Sequence, residues 1–291
     1  MRLPMLYAVA ALSLLSVPQS LPAQSAADVA SLLYRAADTL GMLRTPRELD
    51  RVATLIYAGT GTAIVDGRAC QLERYEASVR YPIPGAEHPF PVPGMRIDMS
   101  CARDGGEAQR RVEVVAGELA WNETEPGIGA APAQDTVRGR LLQLWLLPQG
   151  LVKAAVAAGE QTTLSLDGQL PVLTFPLPPP LEDVVVRATV DPEIFLHHTM
   201  PNGTRREFGH RITKVETILD GRRVEVAYAD YRDWNEPDYQ SDVLLPGRIV
   251  QTIDGSTTLD LTLSSSNTYN PYVVMPVPQS ISAAGAPSPR R

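Results

Sequence analysis

The sequence predicts a mainly β chain of the α+β type: a curled antiparallel sheet, or half-open β-barrel, with an N-terminal helix and a mid-chain helical pair as plug or lid. Three observations predict it. Apolar and polar residues alternate strictly in short runs, as Met95, Ile97 and Met99 do with Arg96, Asp98 and Ser100, and Leu259, Leu261 and Leu263 do with Asp260, Thr262 and Ser264. Asp220-Gly221 and Asp254-Gly255 stand between apolar runs, a strong hairpin signal because both turn residues must accept φ > 0. Two stretches switch instead to the helical period.

The chain opens on Arg2 and an apolar run from Leu6 to Val17, interrupted by Ser13 and Ser16 and closed by Pro18, with small residues around Ala23. This reads as a cleaved signal peptide over residues 1–23, so the chain is expected to be exported to the periplasm. The run is too short and interrupted to span a bilayer, so no transmembrane anchor is expected after cleavage. Residues 26–278 then read as a single domain, and 279–291, rich in Ala, Pro and Ser, as a disordered tail.

The first helix is signalled by Ser25 and Asp28 as a capping box and by Val29, Leu32, Leu33, Ala36 and Leu40 on one face. From Val52 the period shortens, giving extended runs to Val65 and from Cys70 to Tyr81. Pro82 to Gly94 is a proline- and glycine-rich loop. Strands follow at Met95–Met99, at Val112 and Val114, and at Leu119 and Trp121. Asp135 to Gly159 reads as two consecutive helices, the first carrying Leu141, Leu142, Leu144 and Trp145, the second opened by Pro148 and stopped by Gly159. The rest is β, in runs from Thr162 to Leu263.

Composition narrows the function. A net charge of −7 disfavours nucleic acid as a partner. Cys70 and Cys101 fall in neighbouring predicted strands and, in an oxidising compartment, are expected to form a disulfide; two buried thiols are the alternative. No CxxC, GxSxG, P-loop, GxGxxG or HExxH occurs, so no catalytic residue, cofactor or metal is assigned and no enzyme is expected. Gly59-Thr-Gly61 has no following helix, and reads as a place where a strand bends or another backbone comes close. His197 and His198 alternate across a strand and, with Glu207 and His210, make a poor metal set. The acidic stretch Asp230 to Asp242 lacks the spacing and central glycine of a calcium loop. Asn122-Glu-Thr and Asn202-Gly-Thr fit a glycosylation pattern that has little bearing on a chain that reads as bacterial.

Tyr228-Ala-Asp-Tyr231-Arg232, Leu245-Pro246-Gly-Arg248, Asp254-Gly255 and the alternating Leu259 to Leu263, with Asn270-Pro271 and Val274-Met-Pro276 beyond, resemble the closing strands of the outer-membrane lipoprotein-sorting (LolA/LolB-like) superfamily. The specific signal lies in residues 228–278. The acidic Asp233 to Val243 insertion and the two cysteines depart from that pattern, which detaches the shuttle role from the fold. The resemblance implies a concave apolar face under a helical lid.

The expected function is therefore a non-catalytic carrier that shelters acyl chains of lipids or lipoproteins. Its candidate lining is Met95, Ile97, Met99, Val112, Val114, Trp121, Leu142, Trp145, Val226, Tyr228 and Leu261, with methionine and tryptophan supplying adaptable apolar contact. Each of these residues also reads as plain core between sheet and helices. The alternative is an envelope scaffold or regulatory module that meets a protein partner through the Pro82–Gly94 loop. A hydrolase on an unfamiliar scaffold is the third and least supported reading.

Overall fold

The computed structural model describes residues 26–43, 48–49, 51–82, 92–103, 106–199, 203–234, 243–268 and 270–285. Helix α1 (Ala26–Thr39) buries the face expected of it, Val29, Leu32, Leu33 and Ala36, with Leu40 just beyond. The capping serine, the leader and most of the proline loop lie outside the described residues.

A meander follows: β1 (Thr54–Val65), β2 (Arg68–Arg80), β3 (Gly94–Ala102), β4 (Gln109–Ala116), β5 (Leu119–Glu123) and the short β6 (Ala131–Pro132). Helices α2 (Val137–Trp145) and α3 (Pro148–Ala158) come next, bent by 96° at their junction. Pro148 opens α3, where its missing N–H costs nothing, and Gly159 ends it at φ +54°. The second meander comprises β7 (Thr163–Asp167), β8 (Leu170–Pro176) and β9 (Val185–Asp191), a side hairpin β10 (Leu196–Thr199) and β11 (Arg205–Phe208), then β12 (Arg211–Leu219) and β13 (Arg222–Ala229). A small pair, β14 (Arg232–Asp233) and β15 (Leu244–Leu245), precedes β16 (Arg248–Ile253) and β17 (Ser256–Asn267). Both Asp-Gly pairs form the expected turns, with φ of +50° and +79° at Asp220-Gly221 and +51° and +80° at Asp254-Gly255.

Thirteen strands make one antiparallel sheet in the order β6-β5-β4-β3-β2-β1-β17-β16-β13-β12-β9-β8-β7. It is not closed into a barrel. Its edges are blunted in the usual ways: β6 has two residues, one of them Pro132, and β7 has five, with Asp167 at its end. The halves join where β17 returns beside β1, and here the glycines act as expected. A Cβ on Gly59 would lie 2.3 Å from the Thr262 carbonyl oxygen, and one on Gly61 1.9 Å from that of Asp260, beside register shifts in β1. The Cys70–Cys101 disulfide, Cα atoms 5.5 Å apart, ties β2 to β3 as the sequence predicts.

Helices α1, α2 and α3 share one sheet face and form the main core with it. On the other face lies a second core, and here the structure corrects the sequence reading. Residues 279–285 form a helix, α4 (Gln279–Gly285), rather than part of a disordered tail. Residues 271–278, outside any helix or strand, lead to it across the back of the sheet, and Val273, Met275 and Ile281 cover Val112, Val114 and Trp121. The arm is secured by Thr54 Oγ1 donating to the Pro271 carbonyl at 2.7 Å and by the Asn270 carboxamide, which accepts from the Ala53 amide at 2.7 Å and donates to the Arg51 carbonyl at 2.9 Å. Apolar burial orders Ile281, which composition alone reads as tail.

Candidate functional site

The site to weigh is the seam between the concave wall and the α2–α3 pair. The wall is set by pairing register. Tyr75 lies opposite Met99, Ala77 opposite Ile97 and Val79 opposite Met95, while Ile97 lies opposite Glu113 and Met95 opposite Val115. The concave residues of β4 are therefore Arg111, Glu113 and Val115, with Arg111 paired to Glu113 at 2.6 Å. Val112 and Val114, and Trp121 paired with Val114, face the back core. These three candidate lining residues are removed from the cleft by strand parity.

A narrow cleft of about 30 Å³ remains between wall and helices, lined by Tyr57, Tyr75, Met95, Val226, Tyr228, Ile249, Gln251, Leu259 and Leu261 from the sheet and by Gln143, Leu146 and Leu147 from the helical corner. Of the candidate lining, Met95, Val226, Tyr228 and Leu261 reach it. Ile97 and Met99 lie buried in the same core, as do Leu142 and Trp145 on α2, without bordering the cleft. Tyr57, Tyr75, Gln143 and the corner leucines are additions that strand and helix patterns did not single out. Pockets for drug-sized ligands run to roughly 300–1,000 Å³, so this narrow seam has room for about one water.

Two tyrosines tie the corner to the wall. Tyr81, just past β2, donates its hydroxyl to the Leu144 carbonyl at 3.2 Å, and Tyr228 on β13 donates to the Leu146 carbonyl. Both carbonyls belong to the C-terminal turn of α2, where intrahelical donors run out. The Tyr81 ring packs against Trp145 at 5.9 Å, and Tyr57 stacks on Tyr75 at 6.1 Å. Burial pushes the phenols of Tyr57, Tyr75, Tyr81 and Tyr228 up. Gln149 adds a third tie, its Nε2 donating to the Leu244 carbonyl at 3.0 Å.

The start of α2 is held differently. Arg140, only 5% exposed, donates to the carbonyls of Val114 at 2.9 Å and Trp121 at 2.7 Å and to Asn122 Oδ1, and lies 3.7 Å from Glu113. Burial pulls its pKa down, and Glu113 opposes that shift. The pair thus has a charge-clamped end at Arg140 and, at the corner, neutral hydrogen bonds. Gln143 Oε1, Trp145 Nε1 and Gln149 Oε1 are buried with no hydrogen-bond partner among the described residues.

Other candidates do not form a site. His197 accepts from Arg205 Nε at 3.2 Å on the β10–β11 hairpin, and among the described residues no three His, Cys, Asp or Glu side chains are grouped to hold a metal. The acidic stretch lies mostly outside the described residues. No family model matches this chain, and neither a curated protein nor a solved structure matches it.

Proposed function

We propose that this protein is a non-catalytic carrier that shelters an acyl chain or similar apolar cargo between the concave wall and the α2–α3 pair, which lifts to admit it. The observation that carries the reading is the asymmetry of the helical pair. One end is clamped by Arg140 to β4 and β5, whereas the corner over the cleft is tied by two tyrosine hydroxyls and one glutamine. A neutral hydrogen bond contributes about 0.5–1.5 kcal/mol net, so once apolar cargo replaces the apolar helix contacts, these three ties are what opposes opening. The reading takes the chain to be exported by the leader at residues 1–23 and to work in the periplasm, in keeping with the lipoprotein-sorting resemblance of residues 228–278.

Native mass spectrometry of protein extracted from its own envelope tests this directly. Acyl-lipid adducts that leave on delipidation and return with added methyl palmitate are the expected result. A bare protein that takes up no acyl probe overturns the carrier.

A further inference from the structure

Resting on the carrier reading, we infer that the cargo bears a neutral carbonyl at the head of its chain, an ester or amide, and that Tyr81 and Tyr228 select it by donating their hydroxyl hydrogens. In the closed protein these two hydroxyls already bind carbonyls, those of Leu144 and Leu146, from two separate parts of the wall. The lid's own backbone thus occupies both donors, Tyr228 bordering the cleft and Tyr81 lying beyond its lining. When the corner lifts, both hydroxyls are left in a wall of buried apolar residues, Tyr81 being 1% and Tyr228 5% exposed in the closed state. A buried donor without an acceptor is destabilising by more than the bond itself contributes, so the cargo that binds best brings an acceptor with it. A plain hydrocarbon brings none.

Charge decides which acceptor. No charged side chain is among the described residues that line the cleft. Arg140 commits its donors to Val114, Trp121 and Asn122. Lys153, with Nζ 5.7 Å from the Tyr81 ring centroid, rides on α3 and departs with it. A carboxylate would enter without a cation, at a large desolvation cost; a neutral carbonyl would not. Burial keeps both phenols protonated across ordinary pH, and thus keeps them donors.

The experiment partitions radiolabelled methyl palmitate, N-methylpalmitamide and octadecane between delipidated full-length protein and cyclodextrin. The carbonyl probes should bind roughly tenfold more tightly than octadecane, from one to two net hydrogen bonds. Comparison of the first two separates ester from amide cargo. The Tyr81→Phe/Tyr228→Phe double variant should bring the ratio close to one, and each single Phe variant should lower it, which serves where the double variant folds poorly. Equal binding of all three by the wild type overturns the inference while leaving the carrier standing, as does a preference that survives loss of both hydroxyls. Binding of none overturns the carrier itself.

Discussion

Arg140 on α2 donates to the carbonyl of Trp121 on β5 at 2.7 Å, and with the same Nη1 to Val114 on the paired strand at 2.9 Å. The guanidinium therefore lies over the β4–β5 ladder and fixes the end of α2 remote from the cleft. Lysine has one compact ammonium in place of the planar fork and cannot reproduce these bonds together with that to Asn122. Arg140→Lys and Arg140→Ala should each lower unfolding free energy by about 1.5–3 kcal/mol, the range for charge-assisted hydrogen bonds. Urea titration measures it; a lysine variant of wild-type stability would mean that charge alone holds the clamp.

Asp98 supplies the pH prediction. On the back of the sheet it accepts from Arg110 Nη2 at 2.7 Å and Nε at 2.9 Å, and from Arg74 Nη1 at 2.9 Å. The Arg110 hydrogen bonds, with help from Arg74 and against burial, hold its carboxyl below the usual carboxylate range. A depressed folded-state pKa stabilises the fold fully above the unfolded value, roughly pH 3.9, and that contribution disappears as pH falls through the folded value. Wild-type stability should accordingly drop on acidification below about pH 4. Asp98→Asn should be less stable at pH 7 and lose less on the way down; identical pH profiles for the two proteins would remove Asp98 from the account.

The two tryptophans of the candidate lining separate by face. Trp121 is fully buried in the back core under Met275 and Ile281, its Nε1 donating to Glu123 Oε1 at 2.7 Å, whereas Trp145 belongs to the lid and packs on Tyr81. Trp121→Ala should cost about 3–5 kcal/mol and leave the affinity of the folded protein for methyl palmitate unchanged. Trp145→Ala should change that affinity as well as stability. The two-face assignment fails if Trp121→Ala alters binding at temperatures where the variant remains folded, or if Trp145→Ala unfolds readily yet binds normally.

Legibility followed locality. The Asp-Gly turns, the apolar face of α1, Pro148 and Gly159 are specified by a few neighbouring residues, and the sequence predicts them correctly. The role of Gly59 and Gly61 was also readable, since two glycines inside a β-branched run mark a strand bend or a close backbone partner, and both occur there. The face of β4 was not: Val112, Val114 and Val115 are all apolar, so alternation leaves two parities open and only pairing with Met95 and Ile97 selects one. Nor was the arm over the back of the sheet, since Val273 and Met275 gain their meaning from Trp121, about 150 residues away. The tyrosine ties escaped because each hydroxyl seeks a helix-end carbonyl, a relation with no sequence spacing.

Gly150 is a tight point of the lid corner, where the start of α3 meets the end of α2. A Cβ there would lie 2.6 Å from the Leu144 carbonyl oxygen, 2.8 Å from that of Trp145 and 3.0 Å from the Trp145 Cα, all backbone atoms with no rotamer to yield. Alanine in a helix gains about 1 kcal/mol over glycine, so α3 itself is favoured by Gly150→Ala. The clash acts elsewhere, between the two helices, at an overpacking cost of about 1–3 kcal/mol, and it pushes apart the carbonyl of Leu144 and the hydroxyl of Tyr81. The corner should open while the sheet stays intact. Amides from Leu141 to Ala158 should then exchange roughly tenfold faster than in the wild type, with β1, β2 and β17 unchanged, as for a local opening separable from global unfolding. Added methyl palmitate should restore slow exchange by filling the space beneath the lifted corner. If sheet and helices accelerate together, and ligand restores neither, α2 and α3 are fixed core and the lid does not move.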